Sequence, residues 1–208
     1  MTHALLVVDI QHDFLPGGAL AVSEGDQVIA VANSMMDRFP LVVATQDWHP
    51  AAHKSFAVNN GDKSPGEVIE LHGLTQVLWP QHCVQGSHGA AFAQDLHSAR
   101  FDAVFQKGTD VDIDSYSGFF DNGKRKDTGL ADYLRSKGVT QVFVLGLATD
   151  YCVKYTAVDA HEQGFQTSVI RDGCRAVNLN PDDEQKAYAE LEAMGIALVS
   201  SAELGSYR

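Results

Sequence analysis

Six short runs rich in Val, Leu, Ile or Phe punctuate this chain, at residues 4–8, 41–45, 103–105, 141–147, 165–170 and 196–199. Runs of this length and composition read as strands buried on both faces. Helical patterns lie between several of them. Ser23 with Asp26 resembles a capping box ahead of Val28, Ile29, Ala32, Met35 and Met36, Thr128 is placed to cap residues 130–137, and Pro181 can open a helix through Met194. Thr149 or Asp150 can start a further helix through Cys152, Thr156 and Ala160 to Gln163, and Gly138, Gly164 and Gly195 stand where helices should stop. Alternating strand and helix predicts a doubly wound α/β fold, a mostly parallel sheet of about six strands with helices on both faces. A chain of 208 residues with 45% hydrophobic content suffices for one core, so residues 1–208 are read as a single domain. Two stretches break the rhythm, roughly 50–90 and 108–127, and loops this long in a compact domain are usually functional or mis-assigned; the first holds a cluster of histidines, which favours function.

Charge narrows the partners. Fifteen Lys and Arg against 27 Asp and Glu give a formal charge of −12. Such a surface repels phosphate backbones and anionic lipid, so no nucleic-acid or membrane partner is expected, and a small molecule is. The apolar stretch at 4–8 follows no basic residue and runs straight into Asp9, unlike a signal peptide, and no run is long enough to span a bilayer. A cytoplasmic protein is the expectation, and its oligomeric state is left open.

The polar residues at strand ends carry the chemistry. Asp9 closes the first strand, Asp47 lies just past the second, Lys107 just past the third, and Cys152 in the turn or first helical residues after the fourth. In open parallel sheets the site lies outside the carboxyl ends of the strands, where these four can converge. A cysteine at a helix start feels the positive end of the macrodipole, and a nearby lysine favours thiolate further. Asp9 can then act as general acid and base, with Lys107 holding thiolate and carboxylate in place. A lone cysteine is ordinarily a small core residue, and Cys83 and Cys174 are read that way. His82 beside Cys83 is no dyad, since neighbours in extended chain face opposite ways.

Five of nine histidines, His49, His53, His72, His82 and His88, fall between positions 49 and 88. Pro50 pushes His49 into extended conformation, where Asp47 and His49 share a face and can reach one cation. His82 is the first candidate for a third ligand and His53 the second. One carboxylate and two imidazoles leave coordination positions open, as catalytic zinc or iron sites do. His72, His88 and His97 read as solvated, while His3, His12 and His161 lack ligand-like context.

These residues resemble the nicotinamidases, also called pyrazinamidases, of the isochorismatase-like cysteine hydrolases. The resemblance rests on LLVVDIQHDFLPGGAL at 5–20, ATQDWHPAAHKSF at 44–56, WPQHCVQGSHGAAF at 79–92, FQKGTD at 105–110, DSYSGFFD at 114–121 and GLATDYCVKYTAVDA at 146–160. It implies deamidation of nicotinamide to nicotinate and ammonia through a thioester, in NAD salvage, with pyrazinamide as a further substrate. Carried over, the catalytic triad is Asp9, Lys107 and Cys152, and the metal ligands are Asp47, His49 and His82, with His53 in question. The metal is one divalent ion, expected to be zinc, with iron or manganese as alternatives. Phe14 and Trp79 resemble the aromatic walls that sandwich the pyridine ring. The peptide before Ala148 resembles the family's non-proline cis bond, which would aim the Ala148 and Cys152 N–H groups at one oxyanion.

Two rivals stand beside this reading: an amidase for ureido or carbamoyl substrates with the same triad, and a binding protein that has lost turnover. Hydride transfer is disfavoured, because Gly17–Gly18 form no GxGxxG after the first strand. Lys124, Arg125 and Lys126 are read as a solvated loop.

Overall fold

The computed structural model describes residues 2–207. Its elements run β1 (Thr2–Val8), α1 (Gln27–Met36), β2 (Leu41–Asp47), β3 (Val68–Leu71), β4 (Leu74–Val77), β5 (Ala103–Lys107), α2 (Leu130–Ser136), β6 (Val139–Leu147), α3 (Lys154–Glu162), β7 (Gln166–Arg175), α4 (Asp183–Ala193) and β8 (Ala197–Val199). Six strands form one sheet in the order β5-β2-β1-β6-β7-β8, and every pairing within it is parallel. The expected doubly wound sheet is therefore present, and all six apolar runs lie in it.

The centre of the sheet explains its own burial. Ala4 to Val8 are wholly enclosed, as are Val42, Val43 and Ala44 beside them. At about 25 cal/mol per Å² of apolar surface, a fully buried Val or Leu contributes about 1.5–3 kcal/mol, so this pair of strands anchors the core. Strand order departs in opposite directions on the two sides of β1: β2 and β5 lie one way, β6, β7 and β8 the other. The crevice above such a switch point opens at the carboxyl ends of the strands.

Helix ends follow the glycines, with Gly138, Gly164 and Gly195 all at positive φ. Two of the capping expectations fail. Asp26 precedes α1 without a side-chain cap. Thr149–Val153 forms a single wide π turn before α3, so Cys152 does not sit in a regular α-helical first turn. Thr128 does meet its role, accepting from Leu130 N–H at 3.2 Å.

The long stretch after β2 is not all loop. β3 and β4 pair as an antiparallel hairpin, with His72 and Gly73 both at positive φ between them. Two left-handed residues in a tight turn are the signature of a type I′ hairpin, and His72-Gly73 supplies the glycine of that turn without the Asn-Gly or Asp-Gly pair that marks one in sequence. Lys124 and Lys126 are exposed as expected, but not idle: Lys124 pairs with Asp159 and Glu162, and Lys126 with Asp110.

Candidate active site

Asp9, Asp47, Lys107 and Cys152 come from the ends of β1, β2, β5 and the turn after β6. Asp9 follows β1 directly, at φ 48°, in the left-handed region that Asp tolerates better than most residues. Asp47 and Lys107 are direct partners in the β2–β5 register, which puts their side chains on the same face. Lys107 Nζ lies 2.8 Å from Asp47 Oδ1, 2.8 Å from Asp9 Oδ2 and 3.3 Å from Cys152 Sγ, and it also donates to the Ser115 carbonyl at 3.0 Å. The approach to Asp9 Oδ2 is that of an ion pair, since this oxygen accepts no aligned hydrogen bond. Asp9 Oδ1 accepts from the Thr45 hydroxyl at 2.7 Å. The ammonium has no solvent exposure, so two buried carboxylates are what keep it charged.

Burial governs the proton inventory. It pushes the Cys152 thiol well above its ordinary range; Lys107 pulls the other way, but the carboxylates of Asp9 and Asp47 reinforce the rise. This corrects the expectation of a resting thiolate. Lys107 is shared with two anions, and its pull on sulfur does not offset burial and the two carboxylates. Burial likewise raises Asp9, against the pull of Lys107, so the carboxyl is a better proton acceptor than an exposed aspartate. Burial would lower Lys107, yet Asp47 and Asp9 more than reverse this and hold it protonated. Cys83 and Cys174 are also buried thiols pushed upward, Cys174 to about 12. Location beside Asp9 and Lys107, rather than acidity, distinguishes Cys152.

Asp47, His49 and His82 form a buried set whose candidate ligand atoms lie within 4.8 Å of one another. His49 Nδ1 is 2.8 Å from the Gly108 carbonyl, and His82 Nδ1 is 2.7 Å from the Pro80 carbonyl. Both rings therefore donate through Nδ1 and turn Nε2 toward Asp47 Oδ2, at 3.0 and 3.4 Å. Carbonyls that fix the tautomer behind two converging imidazoles are the usual outer shell of a metal site, so these residues fit a divalent ion. Gly108 is required at its place: at φ 66°, a Cβ there would stand 2.3 Å from His49 Cε1. Without metal, burial would lower His49, but Asp47 raises it to about 9, so the ring is an imidazolium paired with Asp47.

His53 belongs to a second set, with His49 and Asp114. The Ser55 N–H donates to His53 Nδ1 at 3.2 Å, with the Ser55 hydroxyl 2.7 Å away. Burial lowers the ring to about 4, so it is neutral with its proton on Nε2. That nitrogen makes no hydrogen bond and is a donor, not a lone pair, which disfavours His53 as a ligand.

Above the thiol, Phe14, Leu20, Trp79, Tyr116, Tyr151, Ala148 and Val177 enclose a narrow cleft that reaches Asp47 and His82. Phe14 and Trp79 are both here, as expected, and Tyr116 and Tyr151 are added to them. Trp79 meets Tyr151 edge to face at 4.9 Å between centroids, and its Nε1–H donates to the Tyr116 hydroxyl at 3.2 Å. The two tyrosines escaped notice because nothing in a loop sequence separates a wall from a surface aromatic. Gln11 was also missed. Its buried amide accepts from Asp47 N–H and donates to Asp47 C=O, both at 2.8 Å, locking the backbone of the candidate ligand. The Leu147–Ala148 peptide is cis, where the resemblance places it.

Fold and site together define a doubly wound α/β amidohydrolase with a buried thiol at the sheet's switch point. The isochorismatase domain model matches residues 3–203, and the chain belongs to the isochorismatase family. It is 50% identical over 206 residues to the nicotinamidase of Escherichia coli strain K12, covering 96% of this chain and 95% of that one. The Acinetobacter baumanii nicotinamidase/pyrazinamidase superposes with a TM-score of 0.95 at 44% identity, covering 98% of each chain. A pyrazinamidase of Pyrococcus horikoshii in complex with zinc superposes at 0.79 with 40% identity, covering 96% of this chain and 99% of that one.

Proposed function

We propose that this chain is a single-domain cytoplasmic nicotinamidase that hydrolyses nicotinamide, and pyrazinamide as well, to the carboxylate and ammonia. The observation that carries the mechanism is Lys107 Nζ set among Asp9, Asp47 and Cys152 at the floor of an aromatic cleft. Phe14 and Trp79 take the faces of a flat ring, Tyr116 and Tyr151, both close to perpendicular to Trp79, meet its edge, and together the four exclude water. Asp9 takes the Cys152 proton as sulfur attacks the carboxamide carbon, so charge separates only within the dry site. The Ala148 and Cys152 N–H groups hold the resulting oxyanion. Asp9 then hands its proton to the departing nitrogen, the C–N bond breaks, ammonia leaves and a thioester remains. Water attacks the thioester with Asp9 again as base, and the thiol is restored as nicotinate departs. Throughout, Lys107 stays protonated and keeps Asp9 beside sulfur.

Asp47, His49 and His82 would hold a divalent ion, which would supply positive charge and Lewis acidity at the end of the cleft. Zinc is proposed, on the mixed nitrogen and oxygen donor set and the zinc complex of the Pyrococcus horikoshii relative, with iron or manganese as alternatives. The test is ammonia release from nicotinamide by the wild-type chain and by Cys152→Ala. Removing the nucleophile should lower kcat by at least about 10³-fold, and a variant near the wild-type rate overturns the mechanism.

A further inference from the structure

One carboxylate ties the loop after β7 to the turn that carries Cys152. Asp150, buried, accepts the Val177 N–H on Oδ1 and the Asn178 N–H on Oδ2, each at 2.9 Å. Charge-assisted bonds from successive amides fix a peptide plane in rotation as well as position. A second tie runs alongside: the Thr149 hydroxyl donates to Glu184 Oε1 at 3.1 Å, and the Glu184 N–H donates to Asn178 Oδ1 at 2.9 Å. Asn178 adopts φ 52°, which asparagine tolerates, and the next residue, Leu179, is 46% exposed. These polar ties fix the loop in addition to the packing of Ala176 and Val177.

Its useful product is Val177, whose side chain lines the cleft with Phe14, Trp79 and Cys152. The aromatic walls suit the two faces of a planar ring. Leu20 and Val177 are the larger aliphatic residues at its edge, which they bound together with Tyr116, Tyr151, Ala148 and Asp114. A β-branched side chain has little rotamer freedom, and on a doubly tied backbone it cannot retreat from a larger substrate.

We propose that Val177 is a specificity-determining wall and Asp150 the positioning residue that holds it, so that the cleft takes unsubstituted six-membered heteroaryl carboxamides and rejects ring-methylated ones. This rests on the carboxamide reading above. The test measures kcat and KM for nicotinamide and for its 2-, 4-, 5- and 6-methyl derivatives, by ammonia release, in the wild-type chain, Val177→Ala and Asp150→Asn. One methylene in an apolar pocket is worth about 10–200-fold in discrimination. Val177→Ala should therefore raise kcat/KM for at least one methylated substrate, relative to nicotinamide, by about tenfold or more. Asp150→Asn keeps the shape but turns an N–H toward an N–H, and should move the same ratio the same way while raising KM more than it lowers kcat.

An unchanged ratio for every analogue in Val177→Ala overturns the wall. A fall in kcat with unchanged discrimination in Asp150→Asn overturns the positioning role and confines Asp150 to the nucleophile's turn. If Asp150→Asn does not fold, Val177→Ala alone decides, since its position is only partly buried. Failure of the wild-type chain to release ammonia from nicotinamide overturns the carboxamide reading itself, and this inference with it.

Discussion

Thr45→Val isolates one hydrogen bond at the centre of the site. The Thr45 hydroxyl donates to Asp9 Oδ1 at 2.7 Å, and both side chains are fully buried. Valine preserves the shape and removes the donor, leaving Asp9 with the Lys107 ion pair alone. A hydrogen bond to a charged group is worth about 1.5–3 kcal/mol, and 1.36 kcal/mol corresponds to about one pKa unit. Since the lost donor favoured the carboxylate, Asp9 should rise by about 1–2 units above a value that burial has already raised. Asp9 must be ionised to accept the thiol proton, so the acid limb of kcat/KM for nicotinamide should move to higher pH by the same amount. Unfolding at pH 8 should lose about 1.5–3 kcal/mol, with less lost in acid, where the variant's Asp9 is protonated. An acid limb that stays in place, or moves down, with stability reduced as expected, refutes Asp9 as the base.

Other perturbations probe the same cluster from different sides. Lys107→Met leaves two buried carboxylates facing each other, and urea unfolding should register a loss of about 3–5 kcal/mol together with near-complete loss of turnover; wild-type stability would contradict the ion-pair account. His49→Ala should emerge without bound metal in elemental analysis, whereas His53→Ala should retain it, because His53 offers an N–H and not a lone pair. Loss of metal from both would restore His53 to the ligand set. Because Asp47 raises His49 to about 9, metal uptake at pH 7.5 should release about one proton, read by calorimetry in buffers of different ionisation enthalpy. Heat independent of buffer would show that the ring binds metal already neutral.

Much of the site was legible because parallel strands deliver their last residues to one edge. Asp9, Asp47 and Lys107 each follow an apolar run, and a run that reads as a buried strand also says where its polar successor must emerge. His49 followed from Pro50 and the period of two in extended chain. Loops carry no such period, which is why Tyr116, Tyr151 and Val177 could not be told from surface residues until their elements were packed. The β3–β4 hairpin was hidden for a different reason. Val68 is 59% exposed, and a two-stranded flap with little burial lacks the continuous apolar run that marks the main sheet.

By itself the sequence determined the six strands of the main sheet, the helices between them and the residue types at the strand ends, since hydrophobic period and terminal polarity are local properties of the chain. Tertiary structure alone decided the protonation states. Cys152 reads as a thiolate from its place at a helix start with a lysine converging on it, but burial and the carboxylates of Asp9 and Asp47 make it a thiol at rest. His53 stands in sequence as the second candidate for a ligand, but the Ser55 amide claims its Nδ1 lone pair. Charge and tautomer depend on dielectric and on partners distant in sequence, and those exist only once the chain has folded.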